Sequence, residues 1–388
     1  MDWALIQQRE SDIDSTVAKR KTTQRRHSLS LELENFLELL PPSPTIASVG
    51  PVDLRKFLIH KDTMGRTQVH DVQCQFLGQV GLKSCNCPVR LASSYVSNII
   101  SLLKDIFERN GRGRTWDVKL WDGNPACAPI ITDYLKVMKE EQAKAHILPK
   151  QAKPLFVSKL RAISDFISQR LLCTFDPCDT YILARDRALF LAQFFVGGRA
   201  SDMSNILIQE ITVLHKDNSV AIRSTFGKTL RGGDGDYHVL MLKPLPDVRI
   251  CPVSALRSYV MLATALGIQM EKGPLFREVH PGVGVSSIPI QYSSIRNNLR
   301  DYLIHLGIFE GETPHSIRSG HTVTVSLGPS QLGPESVAAH VGWRSTAAVR
   351  HYSRSRVLKD AVVLASSVAN SIKDDGLAES LFNRMGAK

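Results

Sequence analysis

The chain has 388 residues, 43% hydrophobic and 22% charged, with 48 Lys and Arg against 37 Asp and Glu and a net charge of +11. That apolar share supports packed cores and excludes a disordered or low-complexity chain, and no run approaches the ~18 apolar residues of a membrane span. The length predicts two or three domains, the basic balance favours nucleic acid as partner, and seven cysteines without an apolar leader point to reduced thiols inside the cell.

Residues 1–45 read as a basic, disordered tail. Lys19, Arg20, Lys21, Arg25 and Arg26 crowd together in a Ser/Thr-rich flank, and Leu31–Leu40 suggests a short helix. The Lys19–Arg26 cluster reads as a nuclear-localisation patch or a phosphate-binding arm. Residues 46–148 read as a self-contained helical module whose basic residues suit DNA phosphates. Val52–Leu58, Tyr95–Arg109 and Ala128–Ala145 carry apolar stripes at helical spacing. Between the first two, His70-x-x-x-Cys74 and Cys85-x-Cys87 place four nitrogen and sulfur donors within eighteen residues. Zinc takes such ligands tetrahedrally, but the spacing is not a standard knuckle, so free thiols packed in a loop are the other reading.

Residues 149–155, with the Lys/Pro break Gln151–Pro154, read as a linker, 156–372 as a mixed domain and 373–388 as a C-terminal tail. In the mixed domain, helices are predicted at Val157–Leu172, Asp179–Phe195, Pro252–Leu266, Ser293–Leu306, Pro314–Leu327, Pro334–Val341, Thr346–Tyr352 and Val357–Ile372. Strands are predicted at Ile211–Leu214, Val220–Phe226, Tyr237–Leu242 and Pro274–Glu278. The fold class expected is mainly α with a small antiparallel β-sheet.

Several polar groups in this second domain resist a packing explanation. Arg199 follows Gly197-Gly198 at a helix junction, with Asp202 three residues on. Lys228 opens a Gly/Asp-rich turn between two strands. His315-Ser316-Ile317-Arg318 puts an imidazole and a guanidinium on one helix face, and Trp343 precedes Tyr352 by nine residues. In this order, over about residues 155–370, the set resembles the tyrosine recombinase (phage-integrase-like) family. The long basic N-terminus and the Trp in place of the commoner His resemble Crypton-like elements or tyrosine-recombinase retrotransposons. Asp202 stands where the family pattern has Glu.

The resemblance implies that residues 46–148 are a helical core-binding domain and that the catalytic domain, 156–372, closes with it as a C-shaped clamp on duplex DNA. It implies a site-specific recombinase or integrase in which Tyr352 attacks a phosphodiester to form a 3′-phosphotyrosyl link, without cofactor or metal. Arg199 and Arg318 would hold the phosphate oxygens, and His315 would act as base or donor. Trp343 would donate its indole N–H, Lys228 would protonate the leaving oxygen, and Asp202 would buttress Arg199. His321 and His340 are competing histidines, His340 for the place of Trp343. Tyr302 rivals Tyr352 but sits in an apolar stripe. The resemblance also implies homo-oligomers, a dimer on a site and a tetramer in a synapse, joined by an apolar Val357–Ile372 helix. Two other readings remain open: a domesticated protein that binds DNA without catalysis, and type IB topoisomerase-like activity.

Overall fold

The computed structural model describes residues 3–79, 81–147, 153–225, 237–327, 334–341 and 346. It is mainly helical with small antiparallel sheets, and the chain divides into two units, Met1–Lys150 and Gln151–Lys388. Among the described residues no helix is long and apolar enough to cross a membrane.

In the first unit, α1 spans Trp3–Ala18 and α2 spans Lys21–Leu37. The disordered tail expected for 1–45 is corrected here. Leu29, Leu33 and Leu37 recur at a four-residue spacing and enter the core of the unit. The polar, basic first half of α2 hides that stripe from a composition reading. No described side chain of α1 is buried.

Helix α3 (Pro51–Asp62) starts with Pro at its first turn and buries Leu54, Phe57 and Leu58. Strands β1 (Thr67–Gln68) and β2 (Val89–Arg90) pair antiparallel and close the intervening loop. Helix α4 (Ser93–Phe107) is the centre of the unit, burying Val96, Ile99, Ile100, Leu103, Ile106 and Phe107. A wide turn at Glu108–Arg112 leads into a hairpin of β3 (Trp116–Asp117) and β4 (Asp122–Gly123). Helix α5 (Pro129–Lys144) covers the core with Ile131 and Met138.

In the second unit, α6 is Val157–Cys173 and α7 is Pro177–Val196, which starts at an Asp176 cap and is almost wholly buried. Helix α8 (Ala200–Ser204) follows. Strands β5 (Ile211–Leu214), β6 (Ser219–Ser224) and β7 (His238–Leu242) form an antiparallel sheet in chain order. Then come α9 (Pro252–Ala265), the hairpin β8 (Arg277–His280) and β9 (Gly284–Pro289), α10 (Tyr292–His305), α11 (Pro314–Leu327) and α12 (Pro334–Val341). The predicted Pro274–Glu278 strand lies three residues early. Pro274 makes only an isolated bridge to Leu207, and the hairpin partner β9 has no apolar alternation that would announce it. The helices predicted at Thr346–Tyr352 and Val357–Ile372 lie outside the described residues, apart from Thr346.

Candidate nucleic-acid interface and Cys/His cluster

Three of the six residues assigned catalytic roles in the sequence lie among the described residues: Arg199, His315 and Arg318. Lys228, Trp343 and Tyr352 lie outside them.

Arg199 sits where α7 ends. Gly197 takes the left-handed conformation (φ 60°, ψ 26°) that stops the helix, and its N–H reaches back to the carbonyls of Gln193 and Phe194. A Cβ at Gly197 would also fall 2.6 Å from the His321 ring, so only glycine fits. Arg199 Nη1 donates to Asp202 Oδ2 at 3.1 Å, and both side chains are partly exposed. The i, i+3 pairing read in the sequence is therefore formed.

Helix α11 carries His315 half-buried at its start and Arg318 one turn on. Its approach to the chain after the linker is close. Leu155 N–H donates to Ser316 O at 2.8 Å, and a Cβ on Gly320 would meet Leu155 O at 1.8 Å. Arg318 is only 1% exposed. Its Nη1 donates to Gly197 O at 2.8 Å and its Nη2 to Val341 O at 3.1 Å. One guanidinium thus ties the end of α7 and the end of α12 to α11.

The two competing histidines meet beside it. The His321 and His340 rings stack at 5.2 Å and 25°, and His238 Nε2 on β7 donates to His340 O at 3.0 Å. Burial, then the neighbouring His340 and Arg318, hold His321 down at about 3. His340 is exposed at its other edge, and partial desolvation, then His238, lowers it as well. His321 is therefore a buried, neutral group at pH 7. Tyr302, the rival tyrosine, is buried with its hydroxyl on Asp186 Oδ2 at 3.0 Å.

In the first unit the four Cys/His residues converge. Pairing of Thr67 with Arg90 and Gln68 with Val89 brings the two ends of the loop together. The Gln68 amide holds that loop by donating to the carbonyls of Cys85 and Cys87 and accepting from Lys83 N–H. Ligand atoms of His70, Cys74, Cys85 and Cys87 all lie within 4.8 Å of one another. His70 Nδ1 stands 3.5 Å from Cys74 Sγ and 3.4 Å from Cys85 Sγ. A tetrahedral zinc with Zn–S ~2.3 Å and Zn–N ~2.0–2.1 Å has a sulfur–nitrogen edge of about 3.5 Å, so the donor set fits that ion. The fold supplies what the sequence spacing lacked, because β1 and β2 make distant donors adjacent.

Sequence reasoning missed a polar groove between α2 and α4, with a volume of ≈ 680 Å³. Thr22, Arg25 and Ser28 line one side, Tyr95, Asn98 and Ser101 the other, and Lys61 of α3, paired with Glu32, also lines it. Its signal was present as the polar i, i+3, i+6 stripe Tyr95, Asn98, Ser101, beside the apolar stripe of α4. Arg26, behind it, pairs with Asp105 of α4.

Residues 8–140 match the ALOG domain. Protein LIGHT-DEPENDENT SHORT HYPOCOTYLS 6 of Arabidopsis thaliana is 30% identical over 165 residues, 41% of this chain and 79% of that protein. Protein LIGHT-DEPENDENT SHORT HYPOCOTYLS 5 of the same plant is 30% identical over 136 residues, 35% of this chain and 71% of that protein. The chain belongs to the ALOG-domain family. The matched domain occupies most of the first unit.

Solved structures add the fold. A XerH site-specific recombinase bound to palindromic difH substrate covers 86% of this chain and 76% of its own, at 14% identity and a TM-score of 0.52. The Tn1549 transposon integrase in complex with transposon right end DNA covers 88% and 92%, at 12% identity and a TM-score of 0.50. The likeness to tyrosine recombinases is thus one of fold. Membership of the ALOG-domain family overturns the expectation of a site-specific recombinase, and with it that of an enzyme. In this chain Arg318 holds the ends of α7 and α12 by their carbonyls.

Proposed function

We propose that this ALOG-domain protein is a nuclear DNA-binding regulator that holds duplex DNA by its backbone and does not cut it. The observation that carries this reading is the ALOG domain, on a chain of net charge +11. Two neighbours in fold, the XerH recombinase and the Tn1549 integrase, are bound to DNA. The polar groove between α2 and α4 offers Arg25 and Lys61 to phosphates, with Tyr95 and Asn98 able to reach base edges. In the second unit Arg199, Lys228, His315, Trp343 and Tyr352 would supply donors to phosphate oxygens, while Arg318 ties Gly197 O and Val341 O. In this reading each unit contributes contacts to duplex DNA. A dimer on a two-fold site is the assembly we assign, whereas a synaptic tetramer has no role without strand exchange. In this reading the Lys19–Arg26 cluster, in which Lys19, Arg20, Lys21 and Arg25 are exposed around the start of α2, serves nuclear import.

His70, Cys74, Cys85 and Cys87 hold a zinc ion that staples the loop between α3 and α4. A closed four-ligand site is structural and has no position left for chemistry. Elemental analysis of the full chain should find about one zinc, and Cys85→Ser should lose it. Metal-free protein with this loop still ordered would remove the zinc assignment.

The DNA reading is tested by anisotropy of a labelled duplex with the full chain across a salt series. The binding constant should fall steeply, by about 0.9 log units per log unit of salt for each phosphate engaged. A flat salt response would rule out a phosphate-dominated interface.

A further inference from the structure

The start of α2 reads Arg25-Arg26-His27-Ser28. We propose that Ser28 is a phosphorylation site for a basophilic serine/threonine kinase, and that the phosphate closes the α2–α4 groove to DNA. The regulatory half rests on the DNA-binding reading above.

Recognition comes first. Guanidinium groups stand three and two residues before the hydroxyl, and an acidic kinase cleft binds such a pair by charge-assisted hydrogen bonds. Arg25 makes no ion pair among the described residues, and Ser28 is exposed.

Access comes second. A kinase takes its substrate extended, so the first turns of α2 must open. The buried residues of α2 begin at Leu29, and Arg20 gives the helix start no side-chain cap. Lys21–Ser28 can therefore unwind without drawing an apolar side chain from the core. What holds this segment is the Arg26–Asp105 ion pair, with Arg26 Nη2 also donating to Thr23 Oγ1 at 3.0 Å.

The product comes third. Residues i−3 and i share a helix face, so Arg25 flanks phosphoserine 28, and Lys61 lines the same groove. In the transfer, Ser28 Oγ bonds to the γ-phosphorus of ATP and the bond to the bridging oxygen breaks. ADP leaves, and the hydroxyl proton passes to a carboxylate of the kinase. The added charge of about −1.5 to −2 takes up the cations that otherwise face DNA phosphates.

The test uses the full chain, ATP and a basophilic kinase, with phosphate located by mass spectrometry and duplex binding measured by anisotropy. Ser28 should be modified in the wild type and not in Ser28→Ala, which keeps Thr22 and Thr23 as control hydroxyls. Asp105→Asn should speed modification about two- to fivefold by releasing Arg26. Modified protein should bind duplex about tenfold more weakly, with a log–log salt slope shallower by about two. No phosphate on Ser28 in either wild type or Asp105→Asn overturns the site. Phosphate on Ser28 with unchanged affinity overturns the regulation. Failure of the unmodified chain to bind DNA sinks the functional reading instead, while the phosphate map still scores the site.

Discussion

The two units bury different chemistry. The first is packed by aliphatic stripes, and several of its buried polar residues satisfy backbone groups. Asp62 accepts from Leu91 N–H at 2.7 Å, Asn124 donates to the carbonyls of Lys104 and Gly113, and Gln142 bridges Leu91 and Ser93. The second unit has the larger apolar core and in addition buries a full ion pair. Arg185 and Asp186 are both fully buried, and Arg185 donates twice to Asp186 Oδ1 and once to Arg277 O. The other oxygen, Asp186 Oδ2, accepts from Asn298 at 2.7 Å and Tyr302 at 3.0 Å. That network joins α7, β8 and α10, as Arg318 joins α7, α11 and α12. Apolar packing tolerates small losses, whereas a buried ion that loses its partner keeps its full desolvation cost.

The contrast breaks if the units respond alike to mutation. Asp186→Ala should have the largest effect, costing the second unit ~3–5 kcal/mol because Arg185 stays buried without a counter-charge. Denaturant unfolding, followed by hydrogen exchange in each unit, should show the loss confined to the second. Leu33→Ala removes a side chain with 0% exposure from the first core. A loss of ~2–4 kcal/mol is expected there, with the second unit unchanged.

Acid should separate the units further. His321 has an ordinary value of 6.5 that burial lowers to about 3. Its folded value is depressed, so its contribution is complete above pH 6.5 and is lost as pH falls from 6.5 towards 3. At pH 5 the second unit should have lost ~2 kcal/mol. His321→Gln should flatten that profile in a pH series of unfolding curves, and an unchanged slope would show that another group titrates. Arg199→Ala should have the smallest effect on stability, within about 0.5 kcal/mol, because its pair with Asp202 is partly exposed. The same variant should bind duplex more weakly, which separates a phosphate contact from a structural cation.

Much of the helical framework was legible. Leu103, Ile99 and Val96 repeat at helical spacing, so α4 announces itself, and Pro314 marks the start of α11. Partners across long sequence separations were not. Nothing in the chain order links Asp186 to Tyr302, 116 residues on, or Arg318 to Gly197, 121 residues back. Gly197-Gly198-Arg199 and His315-x-x-Arg318 were legible as a set, whereas the carbonyls that Arg318 holds were not. The same guanidinium serves to hold a phosphate or to tie two backbone carbonyls, and only the fold shows Arg318 doing the second. The Cys/His cluster failed the other way, since its spacing looked irregular until two short strands closed the loop.

The most direct measurement of the central claim is the retention of duplex DNA by the full chain before and after denaturation. The account predicts salt-sensitive binding before denaturation and complete release of DNA after it. DNA that stays attached to the denatured chain would establish a covalent phosphotyrosyl bond and contradict a non-catalytic protein. A chain that retains no duplex at low salt would contradict the DNA-binding assignment itself.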